Sequence, residues 1–424
     1  MTRPLLGVVA DDLTGACDLA GGVADAGLRT SVTLGVPTEP IPSEVDCAVV
    51  ALKSRTVEPA TAVEESAAAA RALAGVRYVY HKYCSTFDST AEGNIGPVAD
   101  ALVELAGPGA ISVGTPATPQ VGRTQYLGHL FVDGRLLSES SLRNHPLTPM
   151  THPDLVRVLA RQTDRSVGLI DHPVVRRGPT AIADAVAASR GVHRHLLVDA
   201  TDDADLDHVA EAVLRLERPV VIGGAAGLAV ALARTHFPGT SQHSRPSELP
   251  QAEPGPRLII SGSGSERTRE QVAAFRGQIV RVDPLALAAD SSTIQRLTEQ
   301  LEEAVRRDDS AVLLSATAAP SDVRDAQTEL GKDKAAALVE DALAQLAVTA
   351  VGKLGVRRMI VAGGETSGAV AAALGAKTLR IGALAAPGVP WTVTTVQDRS
   401  IALLLKSGNF GDPDLFETAW TVGP

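Results

Sequence analysis

Asp11 and Asp12 stand side by side directly behind the apolar run Leu5–Ala10 and just ahead of Thr14-Gly15-Ala16. The run has the composition of a buried strand and the residues after the pair open a helix. The two carboxylates are therefore expected at the C-terminal end of a strand, where open α/β sheets take their ligands. Like charges held together in such a turn repel one another. They suit a metal, a sugar hydroxyl or a proton to be removed. The same residues would also serve as a helix N-cap with a solvated neighbour.

A second group is His81-Lys82-Tyr83-Cys84-Ser85-Thr86-Phe87-Asp88-Ser89-Thr90, followed by Gly93-Asn94-Ile95-Gly96. Placed after a strand, these hydroxyls and carboxylates match a polyol or sugar acid, and Lys82 could neutralise a carboxylate. Turn and cap hydroxyls are the competing use. Arg123, Arg143 and His145 add anion-binding candidates within a Pro- and Gly-rich insert, residues 114–153. An insert this rich in loops is more often functional than structural.

The C-terminal half carries three Gly/Ser turns behind apolar runs. They are Ser261-Gly262-Ser263-Gly264-Ser265, Gly363-Gly364-Glu365-Thr366-Ser367-Gly368 and Lys406-Ser407-Gly408-Asn409-Phe410-Gly411. Strand, glycine turn and helix together offer free backbone N–H groups and a positive dipole end to phosphate. One such turn would be equally served by glycine's backbone freedom. Three in one half point to a nucleotide site, although no Walker A loop and no complete G-x-G-x-x-G occurs.

Other chemistries find little support. The ten histidines form no H-E-x-x-H pattern, so no metal site built by the protein is expected. A G-x-S-x-G elbow is absent. Cys84 has Lys82 as its one electropositive neighbour in sequence and reads as a packing residue. A net charge of −10 argues against a nucleic-acid or membrane-surface partner. No apolar stretch is read as a bilayer span, and the three cysteines, widely spaced, read as reduced thiols of a cytoplasmic protein.

The elements that must position these residues alternate. Short β-type runs recur, from Leu5–Ala10 through Tyr78–Lys82 to Ala402–Leu405, with helical stretches such as 60–74 and 204–216 between them. Such alternation predicts an α/β protein with mainly parallel, helix-covered sheets. Residues 238–256 contain five prolines and no apolar period, which marks a linker. Two domains, 1–237 and 257–424, with a ligand cleft between them, follow. A hairpin is expected from Gln125–Val132 and Arg135–Leu137 around Asp133-Gly134.

Taken together, Asp11-Asp12-x-Thr14-Gly15-Ala16, Ser85–Thr90 with Gly93-Asn94-Ile95-Gly96, and Gly363–Gly368 resemble the four-carbon acid sugar kinases. The likeness runs nearly end to end and includes Gly122-Arg123-Thr124, His145–Met150 and Lys406–Gly411. The Cys84–Thr90 version is similar to the branch acting on 3-oxo-tetronates. Gly223-Gly224-Ala225-Ala226-Gly227 and Thr115-Pro116-Ala117-Thr118-Pro119 depart from the family pattern.

The resemblance implies a sugar-acid domain, an ATP domain and transfer of a phosphoryl group, with Mg²⁺, to the 4-hydroxyl. On that basis Asp12 is expected at the reacting hydroxyl with Asp11 beside it. Lys82, Ser85, Asp88 and Arg123 would hold the sugar acid. Gly363, Gly364, Glu365, Thr366 and Gly408 would hold ATP, supported by Ser261, Ser263 and Ser265. A D-threonate or D-erythronate 4-kinase and a non-catalytic nucleotide- or sugar-acid-binding protein are the alternatives. A homo-oligomer is compatible with either.

Overall fold

The computed structural model describes residues 4–41, 44–144, 148–236, 255–307 and 311–423. His145 and most of the expected linker, residues 238–254, lie outside the described residues. The chain divides into two compact units, residues 1–246 and 247–424.

The first unit is built on eight parallel strands. In chain order they are β1 (Leu6–Ala10), β2 (Thr30–Leu34), β3 (Cys47–Ala51), β4 (Tyr78–Lys82) and β5 (Ile111–Thr115). After an antiparallel ribbon of β6 (Arg123–Tyr126), β7 (His129–Val132) and β8 (Arg135–Leu136) come β9 (Val167–Ile170), β10 (His195–Val198) and β11 (Val220–Gly224). The parallel order is β2-β3-β1-β4-β11-β5-β10-β9. β1, β3 and β11 are buried at every position, the pattern of strands covered on both faces.

In this register Ala10 lies level with Ala51 and with Lys82. The segments leaving β1, β3 and β4 therefore emerge side by side. Close approach of β11 and β5 explains the glycines there: a Cβ on Gly114 would lie 2.1 Å from the Gly223 carbonyl oxygen, and one on Gly224 2.3 Å from that of Thr115.

The insert differs from its expected hairpin. The run 125–132 is not one strand but breaks at Leu127 and Gly128, whose φ angles are +48° and +76°. Both backbone N–H groups donate to the buried Asp199 carboxylate, at 2.6 and 3.0 Å, and this long-range anchor overrides local β propensity. The turn at Asp133-Gly134 forms as expected, with φ of +50° and +76°. Beneath the ribbon, Leu130, Leu137, Met150 and Leu155 pack with Tyr83 and Phe87 in one apolar cluster.

In the second unit, β12 (Arg257–Ser261), β13 (Gln278–Arg281), β14 (Val312–Ser315) and β15 (Arg358–Ala362) run parallel with β18 (Arg399–Lys406). β16 (Thr378–Ala386) and β17 (Val389–Val396) extend the sheet antiparallel, in the order β13-β14-β12-β15-β18-β17-β16. β17 is missing from the sequence reading because Pro390 and three threonines blur its alternation, yet its Trp391 is fully buried at the core. The helix Lys332–Lys353 corrects the expectation about spans. At 22 residues and mean hydropathy 1.4 it is long and apolar enough to cross a bilayer. Its Leu343, Leu346, Ala347 and Ala350 are fully buried, and 39% of its apolar window is buried inside the fold.

Candidate active site

Asp12 caps the helix Leu13–Asp25, accepting the Gly15 N–H at 3.1 Å and the Thr14 hydroxyl at 2.6 Å. The capping alternative is thus correct as far as it goes, but both carboxylates do more. Arg55, beyond the end of β3, donates from Nε and Nη2 to Asp11 at 2.9 and 2.8 Å, and from Nη2 to Asp12 at 2.6 Å. The turn carrying Arg55 is fixed in turn by Asn94, whose amide donates to the carbonyls of Ser54 and Val57 at 2.7 and 2.8 Å.

Burial pushes the Asp11 carboxyl above its ordinary range, against the pull of Arg55. Burial acts on Asp12 too, but Arg55, Lys82, the Thr14 hydroxyl and the Gly15 N–H outweigh it and hold Asp12 below that range. The repulsion expected of the pair is thereby resolved into one firmly ionised carboxylate and one that protonates more readily. Such splitting is how neighbouring carboxylates acquire different roles.

Lys82, the last residue of β4, is 2% exposed and donates to the Tyr83 carbonyl at 3.0 Å. A Cβ on Gly15 would lie 2.9 Å from its Nζ and 2.4 Å from Asp12 Oδ1, so only glycine admits the ammonium this close to the helix start. Asp18 follows Gly15 by three residues, on the same helix face. Burial lifts its carboxyl to about 6, opposed by Lys82 and Arg123 and reinforced by Asp12.

In the segment after β4, Asp88 accepts the Thr86 hydroxyl at 2.7 Å and the Cys84 thiol at 3.0 Å. Burial first, and Asp88 next, push that thiol up to about 12, so Cys84 serves as an S–H donor. Phe87, at φ +54°, bends the chain, and Ser85 and Ser89 are buried beside it. Glycines 93 and 96 admit Ser89 and Gln162: a Cβ would lie 1.8 Å from Ser89 Oγ and 2.6 Å from Gln162 Cβ, respectively. Asp88, Ser89 and Asn94 line one cavity together with Asp11 and Arg55.

Arg123 is buried at the start of β6, donating to the Val121 carbonyl, while its Nε has no partner. Arg143 is exposed on the insert. The structure thus gathers Asp11, Asp12, Lys82 and Asp88 around Arg55, and links Arg123 to them through the charge of Asp18. Arg55 and Asp18 are missing from the sequence reading. Arg55 carries one usable signal, a basic residue just past a strand end; Asp18 lies three residues past Gly15.

In the second unit the three glycine turns follow β12, β15 and β18, which are neighbours in the sheet. They touch. A Cβ on Gly408 would lie 2.3 Å from Ser263 Oγ, and one on Gly363 3.3 Å from Ser263 N. Ser265 caps the helix Glu266–Ala274 and donates to the Gly408 carbonyl at 2.6 Å. Ser261 is fully buried, its hydroxyl 2.6 Å from that of Thr317, which donates to the Ser263 carbonyl at 2.8 Å. The helix behind the second turn runs Gly364–Ala373, so it begins inside the glycine turn, because Gly363 alone leaves the helical range, at φ +124°. Glu365 and Thr366 therefore sit in its first turn, among its free N–H groups.

Residues 6–232 match the model of a sugar-binding N-terminal domain, and residues 258–416 that of a nucleotide-binding C-terminal domain. Curated relatives named 3-oxo-tetronate kinase include one from Burkholderia multivorans, 46% identical, with 99% of this chain and 97% of that protein covered. Another, from Cupriavidus necator, is 46% identical, with 98% and 96% covered. A crystal structure from Salmonella typhimurium LT2 superposes with a TM-score of 0.82 at 37% identity, covering 98% of both chains. One from Haemophilus influenzae has a TM-score of 0.73, also at 37% identity, covering 98% of this chain and 99% of that one.

Proposed function

The chain belongs to the four-carbon acid sugar kinase family, and we propose that it transfers the γ-phosphoryl group of ATP to the 4-hydroxyl of a 3-oxo-tetronate. The observation that carries this reading is identity of 46% extending over 99% of the chain, through both units, to a relative of that name. Residues 1–237 serve as the sugar-acid domain and 257–424 as the ATP domain. The absence of any Cys–Cys pair among its three free cysteines agrees with a cytoplasmic setting.

Phosphoryl transfer is mainly positioning and charge neutralisation. Asp12, held ionised, orients the 4-hydroxyl and takes its proton as the phosphorus–oxygen bond forms. Arg55 cancels the surplus charge of the pair, which would otherwise repel an anionic substrate. Lys82 and Arg123 meet the carboxylate, and the unpartnered Arg123 Nε supplies a free donor for it. Ser85 and Asp88 bind hydroxyls.

On the nucleotide side, Gly364, Glu365 and Thr366 present backbone N–H groups to phosphate, with Gly363, whose own N–H donates to the Lys406 carbonyl at 3.0 Å, and Gly408, Ser263 and Ser265 beside them. Ser261 acts through Thr317. Among the described residues no three His, Cys, Asp or Glu side chains cluster as a metal site. Mg²⁺ would enter with the nucleotide, bound by its phosphates, and would supply neutralisation of their charge. ADP release measured over a panel of four-carbon sugar acids and their 3-oxo forms tests the proposal. A 3-oxo-tetronate should give the highest kcat/KM. Preference for D-threonate or D-erythronate would move the assignment to those acids, and no release with any acid would favour a binding protein.

A further inference from the structure

Lys406, the last residue of β18, is fully buried. Its ammonium donates to Thr268 Oγ1 and to the Gly408 carbonyl, each at 3.2 Å. That carbonyl also accepts the Ser265 hydroxyl at 2.6 Å and the Thr268 hydroxyl at 2.8 Å. Three donors thus converge on one oxygen with two lone pairs. Among the described residues no carboxylate pairs with Lys406. The charge that acts on it is Arg267, another cation, on the helix Glu266–Ala274. Glu270 of that helix is engaged with Arg267 at 3.3 Å.

A buried cation with no counter-ion is costly to keep, and proteins retain such groups where a ligand supplies the missing charge. We propose that Lys406 is the buried counter-charge of the nucleotide site, positioning the turn 407–411 through the Gly408 carbonyl and attracting the polyphosphate that docks on the three glycine turns. This rests on the nucleotide reading above. Burial first, and Arg267 second, hold the ammonium down at about 7. Arrival of a polyanion favours the charged form, so binding draws a proton onto Nζ.

The test is calorimetry of the intact chain with Mg–ATP at pH 8, where the nucleotide's own phosphates are ionised, in two buffers of different ionisation enthalpy. The expected result is uptake of more than about half a proton per nucleotide bound. Lys406→Met should abolish that uptake and weaken binding about 10-fold or more, and Lys406→Arg should recover affinity without uptake. Wild-type binding with no proton uptake, or uptake retained in Lys406→Met, overturns the proposal while leaving the nucleotide reading intact. Failure of the wild-type chain to bind any nucleotide overturns both. If Lys406→Met does not fold, the wild-type buffer pair and Lys406→Arg still decide.

Discussion

Arg55 Nη2 stands 2.6 Å from Asp12 Oδ1 and gives the same nitrogen to Asp11 at 2.8 Å. One guanidinium thus neutralises two neighbouring carboxylates, at the place where the proposed function puts the sugar acid. Replacing it with methionine leaves two buried charges facing each other, with Lys82 the remaining cation nearby. For Arg55→Met, kcat/KM should fall about 100-fold or more. The acid limb of its pH profile should move to higher pH, because both carboxyls lose the cation that lowers them. A profile identical in shape to wild type would show that Arg55 only shapes the turn.

Asp12→Asn separates capping from chemistry. Asparagine caps a helix about as well as aspartate, so the variant should keep its helix and fold, and any fall in the thermal midpoint should reflect the lost pairing with Arg55 and Lys82. Turnover should drop about 100-fold or more, with little change in KM for the sugar acid, because a proton acceptor and orienting charge are lost. Steady-state kinetics beside circular dichroism check both halves.

Asp18 should be costly to the fold. Its carboxyl sits at about 6 in the native chain, against about 3.9 when unfolded. The native state therefore binds this proton more tightly than the unfolded one. The penalty is absent below about pH 4, grows as pH rises towards 6 and is complete above it, on the order of 1–3 kcal/mol. Asp18→Asn should raise the thermal midpoint at pH 7.5 by roughly 2–6 °C. The gain should vanish near pH 4, and activity should fall as Lys82 and Arg123 lose a neighbouring anion. Melting curves across that pH range give the answer.

Gly408→Ala places a methyl 2.3 Å from Ser263 Oγ. KM for ATP should rise about 10-fold while KM for the sugar acid stays near wild type. Adding Ser263→Ala, which removes the colliding atom, should recover part of the loss. If the single variant raised both KM values equally, the turn would not belong to the nucleotide side.

Much of the site was legible because its signals are local. Asp11 and Asp12 follow their strand without a gap, and the hydroxyl-rich segment follows β4. Each glycine turn sits between a strand and its helix or loop. Arg55 was not legible because it meets the aspartates only through the register of β3 beside β1, across 43 and 44 residues of chain. Asp18 was hidden for a different reason: its importance comes from burial beside Lys82, which no spacing reveals. The break at Leu127-Gly128 depends on Asp199, a partner more than 70 residues away. β17 depends on pairing with β18, since its own sequence carries a proline and threonines.

The proposed reaction leaves the γ-phosphate of ATP on the 4-hydroxyl of a 3-oxo-tetronate. Phosphorus NMR of the product formed by the purified chain from ATP and that acid tests it most directly. The expected spectrum shows a new monoester resonance coupled to the two protons of C4, appearing as ADP does and lost in Asp12→Asn. ADP formed without a sugar monoester, or a monoester coupled to the single proton of C2, would contradict it.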